Sequence, residues 1–299
     1  MVELDDGHHV GLMIGGQGIP LVFLHGIALN TRVYTRFLSR LSGYGFRVIA
    51  LDAPAHGHTA ALPGSTFRDG VDLTIRTMDA LGIRRAVVVG HSMGGRATIE
   101  LAAACPERVA VGVLLDAAGG DSFDATADHA FESLATLPIR LAGGIVDTAV
   151  DWWRCNSWRD RQLYGFALAA ALGRWGGQPR SLAAVMRAVA GSSPTGELLR
   201  RARDCGVPFM VVHARNDMVV PWENAVTMAR HSGGTLHSVR HAYHSWMIAD
   251  PQRGADTLGT LIQAQLAQGA SAPGASQPFL EPGSPAETLG APDTTVVAG

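Results

Sequence analysis

Four short, almost unbroken apolar runs constrain this chain most: residues 21–24, 48–51, 86–89 and 109–115. A half-exposed strand alternates apolar and polar side chains, whereas a run that is apolar throughout suits a strand covered on both faces. Between the runs lie amphipathic stretches near residues 32–41, 69–81 and 93–104, with apolar positions at helical spacing. Strand and helix alternate, which predicts an α/β protein with a mostly parallel, doubly wound sheet and helices on both faces.

Ahead of the first run, residues 2–4 and 10–14 flank Gly7 and predict a small antiparallel hairpin. From about residue 120 to 205 the strand pattern gives way to helix-like segments at 145–153, 159–172 and 181–190, which carry Trp152, Trp153 and Trp158, with Trp175 just beyond the second. The alternation then resumes: a strand at 209–212, a helix at 222–231, a strand at 235–239 and a last helix at 251–268. The reading is an α/β core formed by 1–119 and 206–268, a helical cap inserted at 120–205, and a tail at 269–299. Pro, Gly, Ala, Ser and Thr dominate that tail and no period survives in it, so it is expected to be disordered.

The 299 residues are 47% hydrophobic, enough for one large domain with a sizeable core. Twenty-four basic against 26 acidic residues leave a net charge of -2, which argues against nucleic acid and anionic membrane as partners. Cys105, Cys155 and Cys205 form no Cys-x-x-Cys pair, so neither a disulfide framework nor a zinc site is expected. The acidic start, Met1 to Gly7, lacks the features of a signal peptide, and no apolar stretch approaches the ~20 residues of a membrane span. A cytoplasmic protein is expected.

The run at 86–89 leads into Gly90-His91-Ser92-Met93-Gly94 and then a helical pattern. A serine on so sharp a strand-to-helix turn needs small residues two positions either side, because a Cβ there would collide with neighbouring backbone. The turn lifts the Ser92 hydroxyl above the sheet, next to the free amides and positive dipole end of the helix.

With this motif the chain resembles the α/β-hydrolase superfamily over nearly all of residues 1–268 except the insertion. Leu24-His25-Gly26-Ile27 looks like the family's oxyanion loop. Asp52-Ala53-Pro54-Ala55-His56-Gly57-His58-Thr59 is similar to its Asp-x-Pro-Gly-x-Gly-x-Ser loop, with Ala55 and Thr59 standing where glycine and serine are usual. His213 to Pro221 and His241-Ala242-Tyr243-His244 resemble its acid and histidine loops.

A serine hydroxyl is a weak nucleophile and needs a histidine base, itself oriented by a carboxylate. The resemblance implies Ser92 as nucleophile, Asp217 as acid and His244 as base, in the chain order Ser, Asp, His. Asp116, also at a strand end, is the rival acid, read otherwise as capping the strand exit. His241 is the nearest rival to His244 and occupies a place where that loop usually has glycine. The oxyanion donors are expected to be the backbone N–H groups of Ile27 and Met93. His91 and Met93 flank the nucleophile and either line a pocket or lie buried beneath the cap. Pairs such as His56-x-His58 lack supporting acids or cysteines, so no metal is expected.

The function implied is a cofactor-independent serine hydrolase acting on a small-molecule carboxylic ester or related acyl compound. Haloalkane dehalogenases and epoxide hydrolases of this fold use an aspartate nucleophile, so Ser92 argues against both. The lack of a longer glycine run after His25 argues against hormone-sensitive-lipase and ring-cleavage-product hydrolase readings. Thioesterase, lactonase, perhydrolase and carbon–carbon hydrolase stay open, as do hydroxynitrile-lyase-type chemistry and a slow-turnover ligand-binding receptor. Ten arginines against five acids between Ile139 and Asp204 fit either an anionic substrate or a solvated helical face.

Overall fold

A computed structural model of the chain describes residues 1–27, 29–60, 62, 67–129, 137–177 and 192–270. β1 (Val2–Glu3) and β2 (His9–Val10) form the expected antiparallel hairpin around Gly7. Its second arm is shorter than the apolar pattern suggests, because the chain is diverted at Gly11. That residue donates its N–H to Thr59 Oγ1 and accepts from the Asp52 N–H, and a Cβ on it would stand 2.6 Å from Asp52 Oδ2. The following β3 (Leu12–Gly15) therefore joins the main sheet.

That sheet has seven strands. β4 (Ile19–Leu24), β5 (Phe46–Leu51), β6 (Ala86–His91), β7 (Val109–Leu115), β8 (Phe209–Ala214) and β9 (Thr235–Val239) follow β3, and the order across the sheet is β3-β5-β4-β6-β7-β8-β9. Every neighbouring pair is parallel except β3 with β5, where Leu12 lies opposite Leu51. All four apolar runs are strands, and the third continues to His91.

The helices are α1 (Thr35–Leu41), α2 (Phe67–Ala80), α3 (Met93–Ala104), α4 (Asp121–His129), α5 (Leu137–Arg154) and α6 (Trp158–Gly177). After these come α7 (Thr195–Asp204), α8 (Trp222–Ser232), the short α9 (Trp246–Ala249) and α10 (Pro251–Ala270). Side chains of a strand point alternately to opposite faces, and both faces are covered here. Leu21 and Phe23 of β4 pack with Phe37 and Leu38 of α1 and Leu258 and Ile262 of α10. Val22 and Leu24 join the opposite layer, with Leu73, Ile99 and Leu199 of α2, α3 and α7. Each such side chain contributes about 1.5–3 kcal/mol on burial, which is why the runs tolerate no polar residue.

Of the helical segments expected in the insertion, 145–153 and 159–172 fall within α5 and α6, while 181–190 lies outside the described residues, as does 271–299 of the tail. α7 packs against α3 and α8 beside the sheet. Arg96 of α3 holds α4 and the segment before α7 together. Its guanidinium pairs with Asp124 Oδ1 at 2.8 Å and donates to Ser192 Oγ at 2.6 Å and the Ser193 carbonyl at 3.1 Å, while Asp124 Oδ2 accepts from the Thr195 N–H and hydroxyl. None of the described helices is long and apolar enough to cross a membrane.

Candidate active site

Ser92 sits between β6 and α3 with φ 54° and ψ −119°. Such a conformation costs a non-glycine residue about 1–3 kcal/mol and persists only where its surroundings enforce it. Here its N–H donates to the Leu115 carbonyl, and its own carbonyl accepts from the Gly95 and Ala118 N–H groups. A Cβ on Gly90 would lie 2.1 Å from the Gly94 carbonyl oxygen, and one on Gly94 would lie 2.0 Å from that of Leu24. The spacing of the two glycines is thus a steric requirement of the turn.

Asp217 and His244 come from the loops after β8 and β9. His244 Nδ1–H donates to Asp217 Oδ2 at 2.8 Å, while Asp217 Oδ1 accepts from the Val219 and Val220 N–H groups at 2.8 and 2.7 Å. Burial works to raise the Asp217 carboxyl, but the charge and hydrogen bond of His244, together with His213 and the Val220 amide, hold it below the usual carboxylate range. Burial likewise disfavours the charged form of His244, and the neighbouring Asp217 carboxylate outweighs it, so this imidazole binds its proton more tightly than an ordinary histidine. Among the described residues no hydrogen bond joins Ser92 to His244. Contacts of this kind are often long in a ligand-free site and tighten around substrate.

The three loops around Ser92 are tied together by groups the motifs do not name as catalytic. His91 Nε2–H donates to the His244 carbonyl at 2.9 Å, and its Nδ1 pairs with the Tyr34 hydroxyl at 2.8 Å. The Tyr34 oxygen also accepts the Gly26 N–H at 3.3 Å. Burial and the nearby His244 push the His91 imidazole down to about 3, so it is a neutral strut joining the elbow to the histidine loop. His25 Nδ1–H donates to the Gly26 carbonyl and its Nε2 accepts the Ala53 N–H, linking the oxyanion loop to the 52–59 loop. With the Gly26 amide engaged, Ile27 is the next N–H on that loop, and Met93 opens α3 where N–H groups lack helical partners. In the 52–59 loop, Ala55 keeps a left-handed φ of 64° despite its Cβ, and the Thr59 hydroxyl donates to the Asp52 carbonyl at 2.7 Å.

Asp116, the rival acid, makes no hydrogen bond to His244 among the described residues. Its carboxylate accepts from the Ala214 N–H at 2.6 Å and from Trp246 Nε1–H at 2.9 Å, so it ties the exits of β7 and β8 to α9. Complete burial, together with the neighbouring Asp217 charge, pushes its pKa well above that of an ordinary aspartate. His241 is exposed and left-handed, with φ 52°, which accounts for glycine being usual at that place. Asp116, His213 and Asp217 are the one grouping among the described residues whose donor atoms converge as a metal would require. Hydrogen bonds already engage both carboxylates and His213 Nε2, and only the buried His213 Nδ1 lacks a partner.

Of the insertion's arginines, Arg154 donates to the His241 carbonyl and Arg161 donates to the Trp153 carbonyl and lies over the Trp152 and Trp153 rings. Arg203 pairs with Asp204. These contacts are internal to the chain. Sequence reasoning did not single out Arg96, Tyr34, or two buried carboxylates of α5, Asp147 and Asp151. The last two accept backbone N–H groups of the acid and histidine loops.

A model described as the alpha/beta hydrolase family matches residues 21–257. A putative non-heme haloperoxidase of Mycobacterium phage D29 is 38% identical over 269 residues, covering 87% of this chain and 94% of that protein. Among solved structures, an esterase from Rhodococcus sp. ECU1013 superposes with a TM-score of 0.67 at 22% identity, covering 87% of this chain and 97% of the other. The enol-lactonase from Burkholderia xenovorans LB400 superposes with a TM-score of 0.64 at 18% identity, covering 89% and 99%. With the family match spanning most of the chain, residues 21–257, and a relative 38% identical over 94% of its length, the protein belongs to the alpha/beta hydrolase family.

Proposed function

We propose that this enzyme is a cofactor-independent serine hydrolase that cleaves a carboxylic ester or related small acyl compound through Ser92, His244 and Asp217. The observation that carries the reading is the His244–Asp217 hydrogen bond of 2.8 Å, on a loop held by the His91 ring immediately before the strained Ser92. Ser92 Oγ attacks the acyl carbon while His244 Nε2 takes its proton, and the Asp217 carboxylate stabilises the imidazolium. The Ile27 and Met93 N–H groups receive the oxyanion, a term typically worth ~10²- to 10³-fold in rate. The imidazolium returns the proton to the departing alcohol, leaving an acyl-Ser92 ester. Water, deprotonated by the same histidine, then releases the acid and regenerates the serine. The sheet and the helices packed on it, α7 among them, carry these groups, and the insertion's α5 and α6 cap the site and shape the substrate's approach. Three unpaired cysteines support a reducing, cytoplasmic setting.

A second reading is favoured by the name of the phage relative: perhydrolysis on the same site. A carboxylic acid acylates Ser92 with loss of water, and hydrogen peroxide replaces water in the second step, giving a peracid that oxidises halide. The test is turnover of short-chain p-nitrophenyl esters by wild type, S92A and H244A, beside halide oxidation in the presence of acetate and peroxide. Ester turnover dependent on Ser92 and His244 supports the first reading. Halide oxidation that needs both acetate and Ser92, and that outpaces ester turnover, supports the second. Absence of both activities overturns the proposal.

A further inference from the structure

The C-terminal half of α5 grips the histidine loop along its length. Asp147 and Asp151 lie one helical turn apart and are 1% and 2% exposed. Asp147 Oδ1 accepts the His244 N–H at 2.9 Å and its Oδ2 accepts the Met218 N–H at 2.8 Å, so one carboxylate bridges the base's own backbone and the residue following Asp217. Asp151 Oδ2 accepts the Ser245 N–H at 2.6 Å. Beyond them, Arg154 donates to the His241 carbonyl and the Asn156 N–H to the Ala249 carbonyl. These loop amides belong to no strand or regular helix, and buried N–H groups of that kind require an acceptor. The insertion supplies it.

Building on the serine-hydrolase reading, we propose that Asp147 and Asp151 are positioning residues, through which the insertion holds the catalytic base in register with its acid. The insertion is then part of the catalytic apparatus as well as its cover. Asp147 is bidentate between two loops, so it fixes their relative position, while Asp151 fixes the residue after the base.

Burial pushes both carboxyls up, Asp151 to about 7, against the lowering effect of the amides they accept. The titratable groups facing them are His244 and Asp217 on the loops, Tyr164 of α6, Tyr34 behind Tyr164, and Cys155 on the chain just after α5. Because the acid is harder to ionise when docked, the docked arrangement favours the protonated form. Docking therefore weakens as pH rises from the ordinary aspartate range toward about 7. Asparagine at 151 keeps one acceptor oxygen for the Ser245 amide and cannot ionise. At 147 it keeps one acceptor where two are in use.

The experiment compares wild type with D147A, D147N, D151A and D151N in the full chain, reading kcat and KM for a p-nitrophenyl ester and deuterium uptake of peptides covering 215–220 and 241–249. Displacing a base by about an ångström costs up to ~10²-fold, so D147A is expected to lose between about ten- and a hundredfold in kcat, with KM changing far less. Both peptides should exchange faster in that variant. D151N should recover most of what D151A loses, and its loop protection factors should fall less than the wild type's between pH 5 and 8. If D147A does not fold, D147N serves in its place, with faster exchange expected in one of the two peptides. Unchanged exchange and kcat in D147A and D151A overturn the proposal. If wild type shows no Ser92-dependent turnover, the serine-hydrolase reading fails, and the exchange measurements still decide whether these carboxylates hold the loops.

Discussion

Replacing Arg96 with methionine keeps an apolar stem of similar length and removes the charge from a pair that is almost completely out of water, with side-chain exposures of 2% for Arg96 and 10% for Asp124. Four contacts go with it: Asp124 at 2.8 Å, Ser192 at 2.6 Å, the Ser193 carbonyl at 3.1 Å and the Ala118 carbonyl at 3.5 Å. The last lies at the limit of a hydrogen bond and carries little weight. Asp124 retains the Thr195 N–H and hydroxyl as donors but loses its counter-charge. Breaking one side of a buried pair typically costs about 3–5 kcal/mol, mostly from the charge left behind. R96M should therefore lose that much in equilibrium urea unfolding, or roughly 6–20 °C in Tm at ~2–4 °C per kcal/mol for a domain of this size. Neutralising the partner should restore part of the loss, so R96M/D124N should be more stable than the sum of the single effects predicts. A cost of about 1 kcal/mol or less, the worth of an exposed pair, would refute the argument that this ion pair fixes the insertion to the nucleophile helix.

Asp217→Asn should lower kcat by up to ~10⁴-fold by leaving the imidazole in the wrong tautomer. Asp116→Asn should act mainly on stability, costing about 1–3 kcal/mol because one of its two donors is left unmatched. Ester kinetics and urea unfolding of both variants check this, and reversed results would reassign the acid. Because Asp217 holds the His244 proton, the acid limb of kcat/KM should fall above the ordinary histidine value of about 6.5, since activity requires the deprotonated base. In D217N the residual limb should move to lower pH, and an unchanged limb would show that another group titrates. Ala55→Gly should relieve left-handed strain of ~1–2 kcal/mol against a glycine entropy cost of ~0.5–1 kcal/mol. A Tm gain of a few degrees is expected, and a loss would show that the alanine methyl packs.

Those parts of the site that depend on short stretches of chain are legible in the sequence. The elbow at Ser92 is written in one strand, two glycines and a helix start, because its constraints are collisions between residues a few positions apart. Asp217 and His244 are expected from the resemblance of their loops to the family's acid and histidine loops, and the sheet brings the exits of β8 and β9 side by side, with their side chains 2.8 Å apart. Asp147 and Asp151 were not found. Their partners are backbone amides 97 and 94 residues away, and an amide leaves no mark in a sequence. The same holds for Arg96, one arginine among many until Asp124 is seen beside it. Residues 10–14 read as a single strand because apolar pattern says nothing of Gly11, whose break comes from the close approach of the 52–59 loop.

The most direct test of the central claim is the site of covalent capture by a fluorophosphonate, read by peptide mass spectrometry on wild type, S92A and H244A. The account predicts one phosphonyl adduct, on Ser92, abolished in S92A and formed far more slowly in H244A. An adduct on another residue, or S92A hydrolysing p-nitrophenyl acetate at the wild-type rate, would contradict it.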